Sequence, residues 1–201
     1  MTANLVPFWR AMMEDPRRMG SVLPSGRRLG QAIVREVMKR RPGHVIELGA
    51  GTGAITRALF PHRQQFDSFS VVERSARLAH GLEHCFAGLP VHPICASAFD
   101  LLVADGVEAM TVVSSLPFRS LPPADRQAVV AAVMRMSQRC GQFRFIQYSY
   151  LGRLPFPAPA SNLHWSRGDT VFANLPPARL WVLARDDSRA SGAGTPLPQA
   201  A

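Results

Sequence analysis

Two carboxylates and an alternating run of glycines carry the most legible chemistry in this chain. The segment Val45-Ile46-Glu47-Leu48-Gly49-Ala50-Gly51-Thr52-Gly53 is a β-branched run that ends in an acid and passes into three glycines. Ala54-Ile55-Thr56-Arg57-Ala58-Leu59-Phe60 then resumes with helical spacing, so the stretch reads as strand, tight turn and helix start. Glycine lets the backbone bend where a Cβ would clash, and lets a ligand lie against the main chain. A second run, Phe69-Ser70-Val71-Val72, ends in Glu73. A carboxylate at the end of the second strand of a doubly wound sheet is placed to accept hydrogen bonds from both hydroxyls of a ribose. The pair therefore predicts a nucleoside-cofactor site. The glycine spacing differs from the dinucleotide fingerprint, and no Lys-Ser/Thr follows the loop as it would in a triphosphate P-loop.

The elements that must position these groups follow from pattern and punctuation. A short amphipathic helix is expected near the N-terminus, with Leu5, Phe8, Trp9, Met12 and Met13 on one side and Pro16 marking its end. An irregular turn, Met19 to Gly26, follows, and then a helix from Arg27 to Arg40. Beyond Glu73 the pattern predicts a helix over 75–86, a strand over 91–95 and a fourth strand over 109–113. A helix over 124–138 leads to a fifth strand over 142–148. Residues 150–168, with Pro155, Pro157 and Pro159, read as a long loop of the kind that serves as a lid. Two last strands, 170–173 and 179–185, are joined by Asn174-Leu175-Pro176-Pro177. Seven strands with helices between the first five make an open α/β sheet closed by a hairpin. The division expected is an N-terminal segment 1–26, one catalytic-sized domain 27–186 and a disordered tail 187–201.

Composition sets outer bounds. At 201 residues and 47% hydrophobic, the chain fits one domain with an ordinary core. No apolar run reaches the ~18–20 residues of a membrane-spanning helix, and the N-terminus lacks a signal-peptide pattern. Cys85, Cys95 and Cys140 lack metal-ligand spacing and read as reduced thiols, so no metal is expected. The net charge of +9, mostly from arginine, favours an anionic partner, either nucleic acid or an anionic membrane surface.

Glu47-x-Gly49-x-Gly51-x-Gly53 resembles the first motif of the S-adenosylmethionine-dependent methyltransferases of the Rossmann-like class. Several further segments, in order, narrow the likeness. They are Gly20-Ser21-Val22-Leu23-Pro24-Ser25, Glu73, Ser114-Ser115-Leu116-Pro117-Phe118, Gln147-Tyr148-Ser149-Tyr150 and Asn174-Leu175-Pro176-Pro177-Ala178. Together they resemble the small bacterial phospholipid N-methyltransferases that act on phosphatidylethanolamine, which are similar in turn to the rRNA adenine dimethyltransferases. The resemblance spans about residues 7–185.

It implies a seven-stranded class I methyltransferase fold with an N-terminal helical extension, and S-adenosyl-L-methionine as cofactor. Ser25, Glu47, Gly49, Ala50, Gly51, Thr52, Gly53, Glu73 and Arg74 would border that cofactor. Ser97, Ala98 and Phe99 would lie along its adenine, and Ser115 would complete the set. Leu116, Pro117, Phe118, Tyr148 and Tyr150 would meet the acceptor. Tyr148 and Ser115 take the catalytic role, with His164 a further candidate to position or deprotonate an amine. The implied partners are phosphatidylethanolamine, its methylated derivatives and an anionic membrane surface, at the cytoplasmic face of the cell membrane. The alternatives are a nucleic-acid adenine methyltransferase and a non-catalytic binding module. Ser115 stands where the adenine enzymes carry Asn, which weighs against RNA.

Overall fold

The computed structural model describes residues 24–150, 152–172 and 177–185. The expected N-terminal amphipathic helix, residues 173–176 of the hairpin and the tail from 187 lie outside these. The first described helix, α1 (Pro24–Met38), begins three residues before its expected start at Arg27. The boundary expected at 26/27 therefore falls inside a helix. β1 (His44–Leu48) follows, then a short α2 (Thr56–Leu59) that tightens into a 3-10 turn over Phe60–Gln65. Pro61 stands in the first turn of that segment and has no amide to donate, so the helix expected after the glycines is only one turn long. The chain continues through β2 (Ser68–Val72), α3 (Ala76–Cys85), a two-residue β3 (Val91–His92) and a 3-10 segment, Ala96–Leu102. β4 (Ala109–Ser114), α4 (Pro123–Arg139), β5 (Gln142–Tyr150), β6 (Leu163–Val171) and β7 (Ala178–Arg185) complete it.

The seven strands form one sheet in the order β3-β2-β1-β4-β5-β7-β6. β1 to β5 are parallel, and β7 runs antiparallel to both β5 and β6. The order reverses between β1 and β4, and the crevice at a reversal, beyond the carboxyl ends of the strands, is where such sheets bind ligands. Leu48 pairs with Val72 on one side and Ser114 on the other, and Ser114 pairs with Gln147, so four strand ends share one level there. β1 and β4 are almost wholly buried, which is why they read as continuous apolar runs rather than alternating ones.

Each sheet face has its own core. Ile33, Val37, Leu59, Leu82 and Phe86 pack on Val45, Val113 and Ile146 on one side. Val129, Val133 and Met136 of α4 pack on Leu48, Val112 and Phe145 on the other. The stretch expected to be a free lid is tied down: β6 begins at Leu163, and Phe156, Leu163 and Trp165 are all buried in the second core. Among the described residues no helix is long and apolar enough to cross a membrane.

α1 is fastened to the sheet by Arg144 of β5. Its guanidinium is 6% exposed and donates to the carbonyls of Glu36 and Val37, at the helix's open end, and to Thr111 Oγ1. Burial lowers its pKa to about 10, so it stays charged at neutral pH. Arg144→Met should lower stability by about 2 kcal/mol: charge-assisted bonds worth roughly 1.5–3 kcal/mol are lost, and relief of a buried charge returns part. Urea unfolding checks this, and an unchanged midpoint would mean the helix end needs no cap.

Candidate cofactor and acceptor site

Glu47, second from the end of β1, is fully buried. Its Oε2 accepts a 2.7 Å hydrogen bond from Thr56 Oγ1, while Oε1 is buried with no partner in the described structure. Burial, tempered by the Thr56 bond and reinforced by the charge of Glu73, raises its pKa from 4.5 to about 7. An unsatisfied acceptor in a low-dielectric site is costly and marks a place where a donor or cation is due. Thr56 was not singled out in the sequence. The available signal was a hydroxyl on a buried helical position, three residues past the last glycine.

Glu73, just past β2, spans the crevice from the other side. Its Oε2 accepts from the Gly51 amide and its Oε1 from the Ser75 amide, both at 2.9 Å. Each oxygen keeps a second lone pair, so the carboxylate shapes the loop and can still receive ribose hydroxyls. Ser75 in turn caps α3 by accepting from the Leu78 amide.

The three glycines share positive φ (71°, 58° and 81°) but do different things. A Cβ on Gly49 would stand 2.7 Å from Leu116 Cδ2, so this glycine lets the β4 loop close over β1. A Cβ on Gly53 would stand 2.7 Å from Leu82 Cδ2 and 2.9 Å from Phe86, so this one seats α3 against the core. A Cβ on Gly51 would meet no protein atom within 4 Å. The space before Gly51 is the cradle a ligand would fill. Gly51→Ala should therefore cost only the left-handed backbone term, about 1–2 kcal/mol, yet obstruct the ligand. Gly53→Ala adds an overpacking cost of about 1–3 kcal/mol. Thermal unfolding should rank Gly53→Ala as clearly the less stable. The reverse ranking would put the open cradle in the wrong place.

The adenine segment divides. Ser97 and Ala98 are half-buried on the 3-10 segment, and the Ser97 carbonyl accepts from Arg135. Phe99 is 0% exposed and packs among Leu48, Val72 and Val112, so its ring belongs to the core and not along an adenine. Thr52 and Arg74 are exposed at the rim, and Ala50 is buried beneath the loop. Ser25 lies in the first turn of α1.

On the acceptor side, Phe118 is a second correction. It is 3% exposed and makes tilted and edge contacts with Phe156 and Phe145 at ring separations of 4.9 and 6.1 Å, so it supports the loop from beneath. Leu116 and Pro117 remain half-buried at the strand ends. Tyr148 and Tyr150 are half-buried and meet edge-to-face at 5.9 Å. Burial, with Tyr150 and Glu47 adding to it, pushes the Tyr148 phenol well above its ordinary range. Tyr148 therefore keeps its proton at neutral pH. Ser115 Oγ lies near enough to temper that rise, yet it is buried without a well-formed hydrogen bond. His164 is excluded from the crevice, because it pairs with Ala184 near the opposite end of the sheet.

Gln147 was quoted in the sequence without a role. Its Nε2 donates to the carbonyls of Leu116 (3.2 Å) and Tyr148 (2.8 Å), stapling the β4 loop to β5. Glu47 Oε1, Ser115 Oγ and Gln147 Oε1, near the ends of β1, β4 and β5, are each buried without a partner, Glu47 on the face of the first core and Gln147 on that of the second. The orphaned Glu47 oxygen, the Gly51 cradle and the remaining lone pairs of Glu73 together fit a nucleoside that carries positive charge.

No protein-family model matches the chain, and no curated protein matches its sequence. Solved structures do match its fold. A 1,6-didemethyltoxoflavin N1-methyltransferase from Burkholderia thailandensis, solved with S-adenosylhomocysteine, superposes with a TM-score of 0.58 at 13% identity, over 91% of this chain and 88% of that one. The N-methyltransferase NodS of Bradyrhizobium japonicum, also with S-adenosylhomocysteine, gives 0.58 at 13% identity, over 82% and 89%. The 23S rRNA methyltransferase ErmE gives 0.50 at 18% identity, over 79% and 68%. At these identities the likeness is one of architecture, and the chain has the fold of the class I S-adenosylmethionine-dependent methyltransferases.

Proposed function

We propose that this chain is an S-adenosyl-L-methionine-dependent N-methyltransferase. Its acceptor is the amine of phosphatidylethanolamine and its methylated derivatives, on the way to phosphatidylcholine. The observation that carries the cofactor half is the juxtaposition of the orphaned Glu47 Oε1, the open face of Gly51 and the remaining lone pairs of Glu73. Glu73 would hold the ribose, the Gly49–Gly53 backbone would border the methionine and ribose, and Glu47 would face positive charge. The acceptor half is supported by the resemblance of the Pro-Ser turn, the Ser-x-Leu-Pro segment and the hairpin to the phospholipid N-methyltransferases.

The bound cofactor supplies an electrophilic methyl, and its displacement asks mainly for an oriented, neutral amine. The lipid ammonium must first release a proton to solvent; Ser115 Oγ and the Tyr148 hydroxyl oxygen beside it would then accept the remaining N–H bonds and leave the nitrogen lone pair free for the methyl. The faces of Tyr148 and Tyr150 suit methylated ammonium intermediates through cation–π attraction. Phe118, Phe156 and Phe145 keep the loop beneath them dry and fixed. The second reading, methylation of RNA, is favoured by the net charge of +9 and the ErmE likeness, and disfavoured by Ser115. The test is a radiolabelled methyl donor offered with phosphatidylethanolamine vesicles and, separately, ribosomal RNA. Label in methylated lipid is the expected result. Label in RNA alone would overturn the lipid reading, and label in neither acceptor would overturn both.

A further inference from the structure

The arginines of this protein are distributed unequally between the two ends of the sheet. At the end where the parallel strands begin, most are engaged, and Arg63 lies over the Phe60 ring. Arg41 pairs with Glu108 and Asp67, Arg139 pairs with Asp105, and Arg185 donates to the carbonyls of Cys140 and Gly141. At the crevice end, the start of α1 and three loops present Arg27, Arg28, Arg74, Arg119 and Arg153, all exposed. None of these five has an ion-pair partner among the described residues. Nearby acids do little to offset them: Glu73 is held on backbone amides, Asp100 by Arg135 and Asp169 by Arg35 and Lys39. Asp125 is left.

The same end carries exposed apolar side chains. Phe172 is 79% exposed and Leu154 47% exposed. Tyr150 and Val171 both pair with Ala178, so the segments bearing Leu154 and Phe172 leave the sheet at one level. That level is three residues beyond Gln147, or roughly 10 Å above the crevice floor. Leu101, also exposed, lies apart on the segment that Arg139 holds from the far end of α4.

We propose that this crevice-end face docks on an anionic lipid bilayer, with Phe172 and Leu154 entering the interface and Arg28, Arg119 and Arg153 meeting lipid phosphates. Charge complementarity selects an anionic partner, and the aliphatic and aromatic tips select a bilayer over nucleic acid, since Leu154 has no base to stack on. The face would bring the crevice mouth against the membrane, so that a lipid amine reaches Ser115 and Tyr148 without leaving the leaflet. The purpose of the docking rests on the lipid reading above, but the docking itself is measured without catalysis.

The experiment is co-sedimentation of the full chain with phosphatidylcholine vesicles, with and without phosphatidylglycerol. Wild type should bind only the anionic vesicles. Arg119→Glu and Arg153→Glu should each weaken binding about thirtyfold, since a reversed charge counts roughly twice a neutralised one. Phe172→Ser should weaken it severalfold, and Arg63→Glu, at the opposite end of the sheet, should leave it unchanged. Calorimetric cofactor binding in each variant reports folding. Failure of wild type to bind anionic vesicles, or equal losses from Arg63→Glu and the rim variants, would overturn the proposal. So would rim variants that sediment like wild type, and so would binding of RNA with a steep salt slope in place of vesicles. If the rim variants lose binding while wild type methylates no lipid, the docking face stands and the acceptor assignment falls.

Discussion

Glu47→Gln should make the ligand-free protein more stable, by about 2–3 kcal/mol near pH 8, and should weaken cofactor binding at the same time. Burial raises the Glu47 carboxyl from 4.5 to about 7 in the folded state. In the unfolded chain the group ionises in its ordinary range. Between those values the unfolded state has released a proton that the folded state still holds, so raising pH favours unfolding. The slope is about 1.4 kcal/mol per pH unit across that window. The penalty is absent below the unfolded pKa, grows through the window and is complete above pH ~7. A glutamine keeps an acceptor for Thr56 Oγ1 and carries no charge to desolvate, although its amide hydrogens gain no ready partner and take back part of the gain. Urea unfolding of both proteins across pH tests the expectation. The two stability curves should converge in acid and separate above neutrality. Curves that stay parallel would mean that Glu47 is not a buried acid held near neutral. Stability lost to a charge with an unpartnered oxygen is what a binding site costs, so the wild-type affinity for a cationic cofactor should rise with pH through ~7 while the variant's stays flat.

What the sequence disclosed and what it hid follow a physical division. β1 and β4 could be read because both faces are buried, which leaves uninterrupted apolar runs, and the glycines between β1 and α2 have few other uses. β6 could not be bounded, because it lies at the sheet edge. Ser166 and Arg167 are exposed within it, and the proline-rich stretch before it hides the start at Leu163. The alternation of buried Leu163 and Trp165 with polar neighbours was the one available sign. Site residues split the same way. Glu47, the glycines and Glu73 are defined by local spacing and sit where that spacing puts them. Phe118 and Phe99 depend on distant partners: Phe118 turns inward because Phe156 lies almost forty residues on, and no local pattern encodes that. The bond from Gln147 to the Leu116 carbonyl is likewise a long-range fact. The protonation of Glu47 and Tyr148 depends on burial, which a linear pattern does not carry.

Glu73→Ala should cut cofactor affinity about a hundredfold while costing the fold little. The carboxylate serves two sets of donors. In the ligand-free structure its oxygens accept the Gly51 and Ser75 amides, both at a crevice edge that water reaches when the side chain is removed. Their loss is therefore mild, on the order of 1 kcal/mol, because solvent replaces the acceptor. The ribose hydroxyls have no such substitute once the ligand covers the crevice. Two charge-assisted bonds at roughly 1.5 kcal/mol each give about 3 kcal/mol, or about two powers of ten in Kd. Removal of the carboxylate also frees the loop at Gly51, whose open face forms the cradle. Glu73→Gln keeps one acceptor oxygen and turns an amide toward a backbone N–H, so it should fall between wild type and Glu73→Ala. Ser75→Ala removes only the 3.4 Å cap on the Leu78 amide, which should lower stability by about 1 kcal/mol and leave affinity unchanged. Titration calorimetry with S-adenosylhomocysteine, alongside thermal unfolding of the three variants, separates ribose binding from helix capping. If Glu73→Ala binds within a few-fold of wild type, the ribose is held elsewhere; if Ser75→Ala loses affinity to the same degree, Glu73 acts through the start of α3 and not on the ligand.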